Sequence, residues 1–135
     1  MKIIQSTLLY NYYILALQNW CSTDYKIHGL WGDVDSTHYP SYCSTISLDS
    51  IELKKSPKYD EIKKHWYDCT EEQTLTLYTH EWEKHGTCIS KQTGFSQNEY
   101  FEKTLELYTK YSKNGSDSSD VYICFDLNFV KIECL

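Results

Sequence analysis

Four residues with chemically active side chains fall within one short segment of the chain: His80, Glu81, Lys84 and His85. A further histidine, His28, lies earlier in the sequence. In a helix, residues four apart are neighbours, so His80 would lie beside Lys84, and Glu81 beside His85. We therefore expect two imidazoles, an ammonium and a carboxylate to line one wall.

The same segment can be compared with the zinc-protease motif H-E-x-x-H, in which two histidines four residues apart share a metal. In this chain His80 and His85 are five residues apart. On an α-helix of 3.6 residues per turn they would stand about 140° apart. A zinc hydrolase is therefore disfavoured, and we expect neither a metal nor another cofactor. The structural alternative is a surface helix with ion pairs between residues four apart.

This set of residues suits metal-free acid-base chemistry on a phosphodiester. One imidazole can remove a proton from an internal nucleophile while another protonates the leaving oxygen. A lysine can neutralise the charge of the pentacoordinate phosphorane. His65 lies on the polar side of a predicted helix, and we expect it to be a solvated surface residue.

Two regions in the first half of the chain predict elements that could carry these residues. The segment Tyr12–Leu17 is apolar at successive positions, which predicts a central strand covered on both faces. Ser56-Pro57 is typical of a helix start, and Tyr59, Ile62 and Trp66 follow at helical spacing. We expect a helix of about three turns there.

The second half predicts one more helix and a pair of strands. Ser96 and Glu99 form a capping box, and the helix is expected to end near Asn114-Gly115. Its apolar face would carry Phe101, Leu105, Tyr108 and Tyr111. Val121–Asp126 and Phe129–Cys134 read as antiparallel strands joined by a tight connection. The predicted strands and helices do not alternate in regular βαβ units, which predicts an α+β fold with a central, mainly antiparallel sheet packed by several helices.

Composition and charge limit the class of protein. The 135 residues, 41% hydrophobic and 24% charged, fit a single domain over 1–135. A net charge of -6 disfavours a broad basic surface, so any polyanion would be held by a local cluster. Polar residues interrupt the apolar stretch at 3–17, which we interpret as part of the mature fold with any leader missing. No stretch approaches the ~20 apolar residues of a membrane span.

The six cysteines are widely spaced and include no C-x-x-C pair, which disfavours a zinc site. Their even number predicts three disulfides and an oxidising compartment, with about 15 possible pairings. The alternative is a set of buried free thiols in a cytosolic protein.

Two segments carry a more specific signal. Residues 27–31 read IHGLW and residues 80–88 read HEWEKHGTC. They resemble the first and second active-site segments of the ribonuclease T2 family of acid, secreted or lysosomal endoribonucleases. The likeness extends over nearly the whole chain, through YYILALQ at 12–18, YPSYC at 39–43, Phe101, YIC at 122–124 and IEC at 132–134.

The resemblance implies a function and a role for each residue of the cluster. His85 would be the general base on the ribose 2′-OH and His28 the general acid on the departing 5′-oxygen. His80, Glu81 and Lys84 would bind the phosphate and stabilise the transition state. The substrate would be single-stranded RNA, cleaved by transphosphorylation to 2′,3′-cyclic phosphate ends and then hydrolysed to 3′-phosphates, with low base specificity. DNA would be inert because it lacks the 2′-OH.

The resemblance also implies candidates for base binding. Trp31 would form the aromatic wall of the first base pocket, with Asp33 and Tyr39 beside it, and Gln18 would touch the second base. The alternatives are a core tryptophan, a loop aspartate and a loop tyrosine. For Gln18 we favour the alternative of a polar residue that ends a strand.

From the family pattern we also expect three disulfides, Cys43–Cys88, Cys124–Cys134 and Cys21–Cys69. The family implies a secreted or lysosomal (vacuolar) location, with RNA as the substrate and no obligate protein partner or membrane contact. We expect a monomer.

The chain departs from the family pattern at three places. The family commonly has Pro where Gly32 stands, and Phe-Trp where this chain has Leu77-Tyr78. The region around 112–120 is also much shorter than in the family. A catalytically weak secreted effector or binding protein that keeps the fold is the alternative to an enzyme. Asn114-Gly115-Ser116 is either a glycosylation sequon or an ordinary glycine turn.

Overall fold

The computed structural model of the chain describes residues 10–35, 37–112 and 120–134. Four strands lie within these residues: β1 Tyr12–Gln18, β2 Lys26–Asp33, β3 Asp120–Phe125 and β4 Lys131–Ile132. The α-helices are α1 Ser50–Lys54, α2 Tyr59–His65, α3 Glu71–Glu81, α4 Thr87–Thr93 and α5 Gln97–Tyr111. A π-helical segment, Trp82–Gly86, connects α3 to α4. The α+β prediction is confirmed.

The sheet is antiparallel throughout, in the order β2-β1-β3-β4. The predicted strand Tyr12–Leu17 is therefore central, as expected. Residues paired across strands share a face, so the register divides the sheet into two sides. One side packs on the helices and includes the buried residues Tyr13, Leu15, Leu17, Ile27, Leu30 and Phe125. The other, which we call the cavity face, comprises Tyr12, Ile14, Ala16, Trp31, Asp33 and Tyr122.

Buried aromatic rings from the helices form much of the core. The Phe101 ring lies 4.9 Å from Trp66, 5.2 Å from Tyr100 and 5.6 Å from Tyr78, measured between centroids. Phe101 belongs to α5, which begins with the predicted capping box. That helix ends at Tyr111, and the predicted stop at Asn114-Gly115 lies outside the described residues.

The helix expected from Ser56 is shorter than predicted and begins later. Its N-cap is Lys58, and it runs for seven residues from Tyr59 to His65. The backbone N–H of Ser56 still donates to Leu53, so Ser56 belongs to the turn that ends α1. Its hydroxyl accepts from the Lys58 N–H and donates to Glu102. Helix α1, capped by Asp49, was not predicted.

The last two strands are confirmed, but the second is shorter than expected. Strand β4 has two residues rather than the predicted six at 129–134. The Asp126 carboxylate accepts from the N–H groups of Asn128 and Val130, which lengthens the connection. Phe129 adopts a positive φ of 62°, and its ring stacks on Tyr13 at 4.5 Å instead of continuing the strand.

All three expected disulfides are confirmed: Cys21–Cys69, Cys43–Cys88 and Cys124–Cys134. The first joins the loop after β1 to the start of α3. The second joins the loop after β2 to α4, and the third closes the C-terminal hairpin. A disulfide stabilises mainly by constraining the unfolded chain, so these bonds add to what the core of a small domain can supply.

Two core side chains satisfy the outer edge of β2, which has a strand neighbour on one side only. The Tyr100 hydroxyl donates to the Leu30 carbonyl at 2.9 Å, and Trp66 Nε1 donates to the His28 carbonyl at 3.1 Å. A buried backbone carbonyl without a hydrogen-bond donor would lower the stability of the fold. These two hydrogen bonds therefore hold β2 in a fixed position against the helices.

Replacing Tyr100 by phenylalanine tests this constraint. The Tyr100→Phe variant leaves the Leu30 carbonyl buried without its donor, which should lower the free energy of unfolding by about 1–3 kcal/mol. Chemical denaturation measures the loss. The matched control is Tyr122→Phe, because Tyr122 is 53% exposed and its stability should be unchanged. Equal stability of Tyr100→Phe and the unmodified protein would contradict the constraint.

Candidate active site

A cavity of about 460 Å³ lies between the cavity face of the sheet and the junction of α3 with the π segment. It contains every predicted catalytic residue and three of the four predicted base-binding residues. Its walls are Ile14, His28, Trp31, Gly32, Asp33, Tyr39, His80, Glu81, Lys84, His85 and Tyr122. Gln18 is the predicted site residue that is not among them.

A β-bulge directs His28 into this cavity. Ala16 pairs with Gly29 and Leu17 pairs with Ile27, so β2 has one residue more than β1 at this point, and the extra residue is His28. In a regular strand, His28 and Trp31 would point to opposite faces because they are three residues apart. A bulge re-aims the side chain of the extra residue. The His28 ring therefore lies 5.1 Å from the Trp31 ring, on the same side of the sheet.

Gly29 leaves the space through which β2 contacts the helix. A Cβ at this position would overlap Glu81 Oε1 and would lie 2.7 Å from Trp31 Nε1. In that space Trp31 Nε1 donates a hydrogen bond of 2.7 Å to Glu81 Oε1. The other oxygen, Glu81 Oε2, lies 3.6 Å from His28 Nε2. A residue without a side chain is therefore required between His28 and Trp31.

Of the residues at 80–88 expected to be α-helical, 80–81 and 87–88 are, but the α-helical geometry assumed for 82–86 is wrong. Helix α3 ends at Glu81 and the chain continues as a π-helix, whose hydrogen bonds join residues five apart. A π-helix holds more residues per turn than an α-helix, so the angle between His80 and His85 is smaller than about 140°, and both line the cavity. Gly86 permits the tight packing, because a Cβ there would overlap the Trp82 ring.

Because the segment is π-helical, the predicted angle of about 140° between His80 and His85 no longer excludes a shared metal ion. Whether side chains that can ligate a metal lie close together must therefore be considered directly. Within the described ranges, the one group of three candidate ligands with ligand atoms within 4.8 Å is Cys21, Asp68 and Cys69. Its two sulfurs are bonded to each other as a disulfide. His80 and His85 do not belong to such a group.

Burial changes the protonation of two cavity residues in opposite directions. Glu81 is 1% exposed, and burial raises its pKa to about 8, although the Trp31 hydrogen bond and the Lys84 ammonium oppose the shift. Burial, together with the positive charges of Lys84, His80 and His28, lowers the pKa of His85 to about 3. Both side chains are therefore largely uncharged at mildly acidic pH.

The imidazole of His85 is held between aromatic rings. Its ring stacks on Trp31 at 5.1 Å with an interplanar angle of 27°, and Tyr39 lies 6.2 Å away. Its Nδ1 is buried and has no hydrogen-bond partner among the described residues. An uncharged imidazole fixed in this way can accept a proton from a bound ligand.

The loop after β2 places Tyr39 over the cavity. It is tied to the helical wall because the Tyr42 N–H donates to the Lys84 carbonyl at 2.9 Å and Cys43 is bonded to Cys88. The Lys84 ammonium lies 5.4 Å from the centroid of the Tyr39 ring. Tyr39 is 51% exposed, so one face of its ring is available to a ligand.

One oxygen of Asp33 is held by a neighbour, and the other is not. The Tyr12 hydroxyl donates to Asp33 Oδ2 at 3.2 Å. Asp33 Oδ1 is buried without a hydrogen-bond partner among the described residues. Burial raises the pKa of this carboxyl, and the hydrogen bond from Tyr12 lowers it. Asp33 thus has one oxygen with unused acceptor capacity, buried beside the cavity that the residue lines.

Gln18 lies at the end of β1, is fully buried and does not line the cavity. Its side-chain oxygen accepts from the Trp20 N–H. This position fits the alternative of a polar residue that ends a strand. The ring it helps to place, Trp20, lies 4.9 Å from His28.

Sequence reasoning missed two aromatic residues near His28 and Trp31. Trp20 lines a second cavity of about 370 Å³, which shares His28 and His80 with the first and also includes Asp68 and Leu77. Tyr122 lies 6.0 Å from Trp31. The pairing of Ala16 with Tyr122 could have revealed the second of these, but only once the strand register is known.

A family model described as the ribonuclease T2 family matches residues 11–130. The chain belongs to the ribonuclease T2 family. It is 35% identical over 99 residues to Ribonuclease T2 of Danio rerio, covering 70% of this chain and 39% of that protein. It is 30% identical over 108 residues to Ribonuclease DdI of Dictyostelium discoideum, covering 79% and 47%. The chain thus spans less than half the length of these relatives.

Solved structures agree with this assignment. The structure of trichomaglin, described as an S-like ribonuclease, matches with a TM-score of 0.71 at 25% identity, covering 93% of this chain and 92% of that one. Human RNase T2 matches with a TM-score of 0.64 at 26% identity, covering 78% and 59%.

Two of the three departures from the T2 pattern, Gly32 and Leu77-Tyr78, have structural reasons in this chain. A Cβ at Gly32 would overlap the ring of Tyr10, so the proline common in the family would not fit. Leu77 lines the second cavity, while Tyr78 is buried in the core and its hydroxyl donates to the Trp66 carbonyl. Of the pair Leu77-Tyr78, therefore, only Leu77 is in position to contact a ligand.

The raised pKa of Glu81 predicts how stability depends on pH. Between the ordinary value of 4.5 and about 8, the folded protein binds a proton that the unfolded chain releases, so stability falls as pH rises. His85 acts in the opposite sense between about 3 and 6.5, so the Glu81 effect is isolated above pH 6.5. We expect the unmodified protein to lose up to about 1.4 kcal/mol per pH unit between pH 6.5 and 8.

Urea denaturation across that pH range is the measurement. Glu81→Gln keeps an acceptor for Trp31 but does not titrate, so its stability should be nearly flat over the same range. Glu72→Gln, at an exposed position, should behave like the unmodified protein. Parallel curves for Glu81→Gln and the unmodified protein would show that Glu81 has no raised pKa.

Proposed function

We propose that the protein is an endoribonuclease that cleaves single-stranded RNA without a metal. The reaction is transphosphorylation to 2′,3′-cyclic phosphate ends, followed by hydrolysis to 3′-phosphates. The observation that carries the proposal is a single cavity in which a buried, uncharged His85 lies with His28, Glu81 and Lys84. Family membership supports the same reaction class.

In the first step His85 is the general base. It removes the proton from the ribose 2′-OH, whose oxygen forms a bond to phosphorus. An imidazole that is uncharged at acidic pH is in the required state before substrate binds. The bound phosphate is an anion, and a neighbouring negative charge favours the imidazolium form, so its arrival raises the proton affinity of His85.

His28 is the general acid. As the bond from phosphorus to the 5′-oxygen breaks, His28 gives its proton to that oxygen. Its position suits this role because it borders both cavities, so one nucleoside can lie on each side of it. Hydrolysis of the cyclic phosphate then reverses the two roles, with water replacing the departed nucleoside.

Lys84, His80 and Glu81 stabilise the charge of the phosphorane. Lys84 supplies a positive charge, and His80, which is exposed, adds another when protonated. With its pKa raised to about 8, Glu81 carries a proton at acidic pH and can donate a hydrogen bond to a phosphate oxygen. An ionised carboxylate at this position would repel the phosphate.

RNA is the proposed substrate, and the protein is proposed to act as a monomer in a secreted or lysosomal (vacuolar) location. Three disulfides support an oxidising compartment. Relatives from Solanum lycopersicum include Extracellular ribonuclease LE and Intracellular ribonuclease LX, so the names of relatives do not decide the location. None of the helices in the described ranges has the length and apolar character needed to cross a bilayer.

We further propose that residues 1–135 are one domain, shortened around 112–120 relative to the family. Residues 113–119, which include the sequon Asn114-Gly115-Ser116, lie outside the described residues. The residues of the proposed reaction lie on β2, α3 and the π segment. A shorter connection at 112–120 therefore leaves the reacting groups in place.

An RNA digestion assay with EDTA tests this proposal. We expect cleavage in the presence of the chelator, with a bell-shaped pH profile because one histidine must be neutral and the other protonated. His28→Ala and His85→Ala should each lower kcat/KM by about 10²- to 10⁴-fold. Poly-dA should not be cleaved, because it has no 2′-OH.

The matched control is His65→Ala, since the His65 side chain lies outside the cavity and pairs with Glu61 on its own helix. Its activity should be unchanged. Undiminished turnover in both cavity variants would exclude the mechanism. Absence of cleavage by the unmodified protein would favour the binding or effector alternative, and loss of activity with EDTA would favour metal-assisted hydrolysis.

Base binding is proposed to involve Trp31, Tyr39 and Asp33, with a modest preference for adenine on the 5′ side of the cut. Asp33 Oδ1 can accept a hydrogen bond from the exocyclic amine of adenine, whereas guanine presents a carbonyl oxygen at that position. Stacking on Trp31 and Tyr39 is tolerant of every base. Cleavage is therefore expected at all bases, with a bias set by Asp33.

Dinucleotides that differ only in the 5′ base measure this bias. Asp33→Asn, whose amide can also donate to guanine, should lower the ratio of adenine to guanine cleavage rates by about fivefold or more. Tyr12→Phe leaves the Asp33 carboxylate in place but removes the hydroxyl that holds Oδ2, so an intermediate ratio is expected. Equal ratios in Asp33→Asn and the unmodified protein would remove Asp33 from the base pocket.

A further inference from the structure

Tyr122 is placed on the cavity face by the strand register. It pairs with Ala16, whereas its neighbours Val121 and Ile123 point to the opposite side and pack against the core. The Tyr122 side chain is 53% exposed and is not part of that core. A large aromatic side chain on a strand, outside the core and lining the cavity, presents its ring to a ligand.

The position of Tyr122 is rigid. Strand β3 is paired with β1 over six residue pairs, and Cys124, two residues after Tyr122, is bonded to Cys134. A ring carried by a paired strand loses little freedom when a ligand stacks on it. Such rings give binding energy at low cost in conformational entropy.

Tyr122 is also the end of a series of rings in contact. Centroid distances are 4.9 Å from Trp20 to His28, 5.1 Å from His28 to Trp31 and 6.0 Å from Trp31 to Tyr122. Trp31, assigned above to the nucleoside on the 5′ side of the cut, lies between His28 and Tyr122 in this series. Trp20 borders the second cavity, on the other side of His28.

We propose that Tyr122 is a stacking site for a third nucleobase, that of the nucleotide on the 5′ side of the cleaved nucleoside. This inference rests on the proposed endoribonuclease function and extends it from two nucleosides to three. The ligand is a nucleobase of any identity, since every base has a π-face and stacking on an aromatic side chain is tolerant of sequence. Chains of three or more nucleotides are therefore better substrates than dinucleotides.

Three substrates with one scissile bond each test the proposal. The first is the dinucleotide ApA. The second carries an additional 5′-terminal 2′-deoxyadenosine, which cannot be cleaved, and the third carries an abasic deoxyribose at that position. We expect the unmodified protein to cleave the second substrate with a kcat/KM about five- to tenfold above that of the other two, through a lower KM.

Three variants distinguish the contribution of the Tyr122 ring from that of its hydroxyl group and from the effect of a less stable hairpin. In Tyr122→Ala the advantage of the third base should disappear, with cleavage of ApA unchanged. Tyr122→Phe keeps the ring and should keep the advantage. Val130→Ala, an exposed position in the β3–β4 connection, controls for loosening of the hairpin and should also keep it.

Three results would overturn the inference: no advantage of the third base in the unmodified protein, an advantage that survives in Tyr122→Ala, or an equal loss on ApA in that variant. If the unmodified protein cleaves none of these substrates, the proposed function itself fails, so the two failures are distinguishable.

Discussion

The hydrogen bond between Trp31 Nε1 and Glu81 Oε1 brings the sheet and the helical wall into contact at a buried point. Because Glu81 is buried, separating the two groups would leave its carboxyl oxygen without a hydrogen-bond donor. The contact requires Gly29, since any side chain there would occupy the same space. His28 lies three residues before Trp31, and His85 lies four residues after Glu81. The relative position of the two histidines therefore depends on this one contact.

The burial that shields this bond also determines the charges in the cavity. A low-dielectric environment disfavours the charged form of any group, so it raises the pKa of Glu81 and lowers that of His85. Before substrate binds, the charges beside them are positive, on Lys84 and, when protonated, on His80 and His28. An anionic phosphate then meets no ionised carboxylate at Glu81, and it favours protonation of the His85 imidazole. In the proposed reaction, His85 therefore becomes able to hold a positive charge only when the substrate phosphate is bound, and not before.

Local signals predicted much of this arrangement, and features set by packing escaped prediction. The central strand, the capping box of α5 and the cluster of His80, Glu81, Lys84 and His85 follow from spacing and residue type. The disulfide pairs and the candidates Trp31, Asp33 and Tyr39 follow from family resemblance. The bulge at His28 depends on the register of two strands, which no short segment encodes. The π segment depends on the fit of Gly86 against the Trp82 and Tyr100 rings, so spacing alone suggested an ordinary α-helix.

The chain carries a net charge of -6 and all 13 of its basic residues are lysines, so general electrostatic attraction contributes little to holding a polyanion. Among the lysines that the structure describes, Lys84 alone lines the main cavity. The proposed RNA substrate must therefore gain most of its affinity from uncharged contacts. The rings of Trp20, Trp31, Tyr39 and Tyr122 offer them around the catalytic histidines. Because stacking hardly discriminates between bases, a protein that holds RNA in this way combines adequate affinity with low sequence specificity. The aromatic side chains, rather than a basic surface, then determine the path of the RNA strand across the sheet.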